Sequence, residues 1–310
     1  MKGRFYWNKR NAEALKKSIE YFNQAIDKDP NFALAYAGLA DSYGVLPYYS
    51  VASPQQSIPK AKAAAKRALE IDESLAEAHT ALAFELSIYD WNFAESSREF
   101  QRAIESNPNY ATAHQWYGHR PLVCMGRFDE AIAELKRAQE LDPLSLIINA
   151  DLGDTYTHIR QYDQAIEQLR RTIEMDQSFY NAHWRLGKAY EMKGSLQNAM
   201  AEYQMARQLN DDPLVLGLLG HLSAISGKRD EASKLLHQLQ QMAKQRYVSA
   251  YTFAIVYEGL GDKDEAFQWL ERGYQDHVYE MDFLKVDPLL DSLRSDPRFA
   301  DLVRRIGLPQ

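Results

Sequence analysis

The sequence predicts an all-α solenoid of antiparallel helical hairpins, and three observations predict it. A short motif ending in alanine recurs as Gly126-Arg-Phe-Asp-Glu-Ala, Arg160-Gln-Tyr-Asp-Gln-Ala, Lys193-Gly-Ser-Leu-Gln-Asn-Ala, Gly227-Lys-Arg-Asp-Glu-Ala and Gly261-Asp-Lys-Asp-Glu-Ala. Its closing residues Ala131, Ala165, Ala199, Ala232 and Ala266 are spaced by 34, 34, 33 and 34 residues, the period of one helical hairpin. A second series keeps step with it: Tyr117-Gly118, Leu152-Gly153, Leu186-Gly187, Leu219-Gly220 and Phe253-Ala254, with Leu39-Ala40 and Leu82-Ala83 upstream. A small residue there lets two helices approach closely, while its large neighbour fills the space between hairpins. Between the motifs, helical periodicity ends at Asp-Pro, Asn-Pro or Gly signals, and no strand is expected.

The elements follow in order. Residues 11–28 read as the second helix of a hairpin whose first helix, Gly3 to Arg10, is short, so 1–28 is a partial repeat. The apolar edge of 11–28 should be covered by a neighbour, by a preceding half-hairpin or by Phe5 to Trp7 folding back. Seven hairpins occupy 29–276. Their first helices are expected near 33–44, 75–88, 110–124, 145–158, 179–192, 213–226 and 247–260. Their second helices are expected near 55–71, 93–105, 128–139, 162–174, 196–208, 229–243 and 264–275. From Gly44 to Pro54 the chain departs from the period with Leu-Pro-Tyr-Tyr-Ser-Val-Ala-Ser-Pro, expected to form a protruding loop and a candidate binding element. After 276 the period stops. Asp287-Pro and Asp296-Pro announce two short helices within 277–310 that should cap the last apolar face.

Composition excludes several function classes. The 310 residues are 45% hydrophobic and 25% charged, with no apolar run long enough to span a bilayer and no secretory signal after Met1. The expected location is the cytoplasm, or the periplasm if a membrane span lies upstream in a longer protein. A net charge of -7 without a dense Lys/Arg stripe argues against direct contact with nucleic acid. The single cysteine, Cys124, excludes an internal disulfide and a cysteine-rich zinc site, and its apolar surroundings predict a buried thiol.

No phosphate loop, His-Glu-x-x-His, Gly-x-Ser-x-Gly or Cys-x-x-Cys occurs. Gly259-Leu-Gly261 ends a helix rather than a strand, so it is no dinucleotide loop. His79, His114 and His183 occupy the large-residue position of first helices, where packing is expected. His119, His158 and His221 are separated by whole hairpins and cannot share a metal. The turn carboxylates are expected to cap helix N-termini. No catalytic residue, metal or cofactor is expected.

These residues resemble the tetratricopeptide repeat pattern over nearly the whole chain. The family's tyrosine is matched by Tyr43, Tyr156, Tyr190 and Tyr257, its second-helix aromatic by Phe22, Phe100 and Tyr203, its later alanine by Ala25, Ala68, Ala103, Ala138 and Ala206, and its proline by Pro30, Pro108 and Pro143. Glu73, Gln177 and Asp211 depart from the pattern, and Pro121 in the tyrosine position predicts a kink. The resemblance implies a right-handed superhelix whose first helices line a concave groove. In this register the groove holds Asp41, Thr80, Phe84, Gln115, His119, Asp154, His158, Asn181, Trp184, Lys188, Glu191, His221, Tyr251 and Glu258, with Trp184 and Tyr251 as anchors. The implied function is a non-catalytic scaffold that binds a protein or peptide segment in that groove.

Four further stretches, Gly3-Arg-Phe-Tyr-Trp-Asn-Lys-Arg, Ala35-Tyr-Ala-Gly-Leu-Ala-Asp-Ser-Tyr, Tyr89-Asp-Trp-Asn-Phe-Ala-Glu-Ser-Ser-Arg-Glu-Phe and Leu293-Arg-Ser-Asp-Pro-Arg-Phe-Ala-Asp-Leu, resemble the C-terminal repeat region of bacterial multidomain regulators. That region follows a winged-helix, nucleotide cyclase or serine/threonine kinase domain. The alternative implied function is therefore a regulatory arm that acts on its own effector domain or binds a small signal molecule. The oligomeric state stays open.

Overall fold

A computed structural model describes residues 2–309. Helices pair in sequence: α1 (Lys2–Asn8) with α2 (Ala12–Lys28), α3 (Ala33–Gly44) with α4 (Pro54–Ile71), and α5 (Ala76–Ile88) with α6 (Phe93–Ser106). Next come α7 (Ala111–Tyr117) with α8 (Phe128–Leu141), α9 (Leu146–His158) with α10 (Tyr162–Met175), and α11 (Tyr180–Met192) with α12 (Leu196–Leu209). The last pairs are α13 (Pro213–Ile225) with α14 (Arg229–Ala243) and α15 (Ala250–Leu260) with α16 (Lys263–Gln275), before a closing helix α17 (Pro297–Ile306). Among the described residues no strand occurs.

In the fourth to sixth pairs the helices approach where the sequence placed the small residue, Gly118, Gly153 or Gly187. A Cβ on Gly187 would stand 2.5 Å from the Tyr203 ring, and one on Gly153 would stand 2.5 Å from Leu169. The turn between paired helices passes through the left-handed region, at φ 81° for Gly194 and 65° for Arg160. The turns that lead into the next pair work differently from expectation. Asp29, Asp72, Asn107 and Asp176 accept the backbone N–H two residues on, forming Asx turns. The helices that follow have Phe32, Leu75, Tyr110 and Phe179 as N-caps, without a side-chain hydrogen bond. The expected N-terminal capping by carboxylates holds at Asp212, Asp262, Asp287 and Asp296.

First helices form an inner layer and second helices an outer one. In α10, Glu167, Arg170 and Arg171 face solvent while Ala165, Leu169 and Thr172 are buried. In α9 and α11 almost every side chain is buried, including Asp151, Asp154, His158, Arg185 and Lys188. A helix enclosed on all sides is ordinarily apolar all round, so these polar groups need partners inside the molecule. The kink foreseen at Pro121 is a π-helical turn, Gly118–Leu122, that continues α7.

At the front, α1 covers the edge of α2. Gly3 packs on Phe22, the Ser18 hydroxyl donates to the Gly3 carbonyl at 2.9 Å, and Trp7 is buried. Phe5 does not fold back and is 58% exposed. The loop at 44–54 does not protrude. Val45, Leu46 and Tyr49 are buried, because the segment turns into the concavity, where Arg185 Nη2 donates to the Tyr48 hydroxyl at 2.6 Å. The Asp287-Pro and Asp296-Pro signals start a 3-10 turn (Pro288–Leu293) and α17. The segment before them does more than cap, since a 3-10 turn at Tyr279–Phe283 enters the interior.

Candidate functional site: the occupied groove

The array curls until its end meets its beginning. Trp91 stacks on His277 with ring centroids 4.6 Å apart and on Tyr274 at 5.1 Å. His277 Nδ1 donates to the Tyr89 carbonyl at 2.7 Å, and Gln55 Nε2 donates to the Asp276 carbonyl at 2.6 Å. These contacts aim the following residues, Val278 to Leu290, into the concave face.

There the segment is held by named groups of the inner helices. Phe283 lies against His158, its ring centroid 4.4 Å away and 5° from parallel, and against His119 at 5.3 Å. Arg120 Nη1 donates to both oxygens of Asp282 at 3.1 and 3.3 Å. Lys188 Nζ is 3.0 Å from Asp287 Oδ1, and the Tyr251 hydroxyl donates to Asp287 Oδ2. Tyr279 packs on Tyr48 at 5.1 Å, and Ser249 donates to Glu280 at 2.9 Å. One aromatic ring between two imidazoles and two carboxylates on two cations make a complementary fit along one short stretch of chain.

Of the expected groove residues, Asp41, Thr80, Phe84, Gln115, His119, Asp154, His158, Asn181, Trp184, Lys188, Glu191, His221 and Tyr251 are buried, and Glu258 is partly exposed. The concavity expected to be open is filled by 278–290 and by the loop at 45–49. His119, His158, Lys188 and Tyr251 meet the C-terminal segment directly. The rest serve the wall itself. Phe84 stacks on Trp116 at 4.2 Å, Gln115 donates to Asp151 at 2.7 Å, and Asn181 Oδ1 accepts from Trp184 and Arg185 at 3.2 Å. Glu191 accepts from Tyr203 and from His221, whose other nitrogen donates to Glu258 at 2.7 Å.

The electrostatics follow from this enclosure. Burial pulls the His119 imidazole down to about 4, so it sits neutral beside Phe283. Burial acts the same way on His221, but Glu191 and Glu258 outweigh it and raise that ring to about 10. Burial pushes the Glu280 carboxyl up to about 7, since its near partner Ser249 carries no charge. Cys124 is fully buried, and burial pushes its thiol well up.

His79, His114 and His183 do more than fill space. Each Nδ1 meets a carboxylate of the paired helix, Glu99, Glu134 or Glu202, at 2.6, 2.5 and 2.7 Å. Each Nε2 meets the carbonyl six residues back, on Glu73, Pro108 or Gln177. Asn149 makes the same tie in its own hairpin, to the Pro143 carbonyl and to Gln168. The groups that sequence reasoning missed are Arg120, Arg185, Asp282, Phe283 and Asp287. Arg120 and Arg185 left one signal, a cation inside an otherwise enclosed helix. Among the described residues, no three His, Cys, Asp or Glu side chains group so as to hold a metal ion, and no helix is long and apolar enough to cross a membrane.

Comparison with known proteins agrees with this architecture. The tetratricopeptide repeat family matches residues 151–213 and 122–179. The transcriptional regulator HilA of Salmonella typhimurium is 21% identical over 77% of this chain and 37% of its own length. The TPR repeat-containing protein YpiA of Bacillus subtilis is 25% identical over 66% of this chain and 48% of its own length. The chain thus spans less than half of either relative. The human IFIT1 dimer with m7Gppp-AAAA superposes with a TM-score of 0.64 at 17% identity, over 84% of this chain and 68% of that one, a likeness of fold alone. With the 34-residue period, the paired helices and the family matches in agreement, the chain is an α-helical solenoid that carries tetratricopeptide repeats over residues 122–213.

Proposed function

We propose that this scaffold recognises a protein or peptide segment in its concave groove, without turnover, and that residues 278–290 occupy the groove as an internal ligand. One observation carries the reading: the inner wall already grips a piece of its own chain through Phe283, Asp282 and Asp287. A partner segment with an aromatic residue next to a carboxylate, and a second carboxylate a few residues on, would meet the same His119, His158, Arg120 and Lys188. Competition between internal and external ligands makes apparent affinity depend on the fraction of open groove.

The test uses the intact chain and a fluorescent peptide copying residues 278–290. Asp282→Ala with Phe283→Ala in the protein should tighten peptide binding, and adding Lys188→Ala to that variant should weaken it again. Peptide binding that ignores all three substitutions would overturn the reading.

A second reading is favoured by the similarity to the regulator HilA. In it the chain is the regulatory arm of a bacterial signalling protein, and the segment that replaces 278–290 belongs to its own effector domain.

A further inference from the structure

The plugged groove leaves another cavity unused. A vestibule of about 630 Å³ opens where the end of α1 meets the starts of α9 and α11, with Trp7, Arg10, Ser145 and Tyr180 on its wall. Arg10 and Gln115 also line a 40 Å³ cavity further in. That cavity shares Tyr48, His119, Arg120 and Arg185 with a third, of 50 Å³, behind Phe283. The three spaces lie in series from solvent to the centre of the array.

Arg10 stands between the first two, and its position is unusual for a cation. The other buried cations each hold a carboxylate: Arg120 with Asp282, Arg185 with Asp151 and Lys188 with Asp287. Arg10 is 5% exposed, holds no carboxylate among the described residues, and its Nε has no hydrogen-bond partner. One face of its guanidinium is covered by the Trp7 ring, 3.5 Å from the centroid. Its backbone, at φ 51°, takes the same left-handed turn between paired helices as Arg160. Buried charge is ordinarily paired.

Trp7, whose Nε1 is buried without a partner, lines the same space. Helices α9 and α11 begin at the vestibule, and neither Ser145 nor Phe179 caps its helix with a side-chain hydrogen bond. The first N–H groups of a helix have no internal partner and carry the positive end of the dipole, which suits an anion. The vestibule carboxylates Asp142 and Asp176 lie on turns and do not pair with Arg10, Asp176 being engaged with Ser178. Leu146, Ile147, Phe179 and Leu209 supply an apolar wall, and the volume suits a small molecule.

We propose that the vestibule binds a small molecule carrying a carboxylate or phosphoryl group on an apolar body, its oxyanion held by Arg10, Trp7 and the first N–H groups of α9 and α11. The site lies outside the groove filled by Phe283, so it stands whether or not a peptide enters there.

Calorimetric titration of the intact chain with inorganic phosphate and with hexanoate tests it. Saturable one-to-one binding of at least one probe is expected; phosphate alone would assign a phosphoryl head, and hexanoate alone a carboxylate. Arg10→Met should weaken binding by roughly tenfold or more, the loss of a charge-assisted pair, while Arg10→Lys retains part of it. Ser145→Phe, which fills the mouth and leaves Arg10 in place, should weaken binding as well. No saturable binding of either probe, or an affinity unchanged by both Arg10→Met and Ser145→Phe, would overturn the proposal.

Discussion

Phe283 lies 4.4 Å from His158 and almost parallel to it, although one belongs to a turn beyond the last repeat and the other to the inner helix α9. The contact joins the end of the chain to the middle of the array. It makes the concave surface an interior.

Removing that ring should open the interior. Phe283→Ala is expected to cost about 3 kcal/mol, the lower range for deleting a buried aromatic. Denaturant unfolding would read the loss. A cost within a few tenths of a kcal/mol would show that the ring is not buried in solution.

The Arg120–Asp282 pair is enclosed on both sides, with side-chain exposures of 5% and 0%. Breaking it from one side leaves a buried charge uncompensated, so Arg120→Met alone should cost roughly 3 to 5 kcal/mol. Arg120→Met with Asp282→Leu should cost clearly less than either single change. A double-mutant cycle on unfolding free energies measures the difference, and additive losses would contradict the pairing.

Glu280 gives a signed pH dependence. Its folded value of about 7 lies above the ordinary 4.5, so between these values the folded chain holds a proton that the unfolded chain releases. Its contribution to stability therefore falls as pH rises from 4.5 to about 7. Glu280→Gln should flatten that part of the profile of midpoint against pH. An unchanged slope would remove Glu280 as its source.

His221 acts in the opposite range. Raised from 6.5 to about 10 by Glu191 and Glu258, it stabilises the fold fully below 6.5 and loses that contribution as pH rises through about 10. His221→Gln should remove the alkaline decline in melting temperature attributable to this group, and a variant with the same alkaline profile as the parent would contradict the assignment.

Gly187 tests the close approach inside a hairpin. Gly187→Ala places a methyl group against the fully buried Tyr203 ring and should cost roughly 1 to 3 kcal/mol by overpacking. Gly194→Ala meets no neighbouring atom but is held at φ 81°, so its cost, about 1 kcal/mol, comes from the backbone. Thermal unfolding of the two variants separates these causes, and a neutral Gly187→Ala would contradict the packing.

The hairpins were legible because their causes are local. The alanine motif, Gly153 and Gly187, and the Pro-initiated turns each act on residues within one or two helices, so spacing alone places them. The orientation of Lys188, His158 and Tyr251 was legible for the same reason, since helical register fixes which face they share. Their partners were not. Asp282 finds Arg120, and Asp287 finds Lys188, only when the accumulated curvature of the later hairpins brings the C-terminal segment back against the middle of the array. Curvature is a sum of small rotations at every interface, which no single motif records. The loop at 44–54 was misplaced likewise, because what makes it turn inward is Arg185, a residue distant in sequence.

Hydrogen exchange along the intact chain tests the central claim, that the groove is occupied by the chain's own segment. Backbone amides of 278–290 should be protected to a degree comparable with those of α9 and α11, and Phe283→Ala should release them while the hairpins stay protected. Exchange of 278–290 at the rate of an exposed loop in the unsubstituted protein would contradict it.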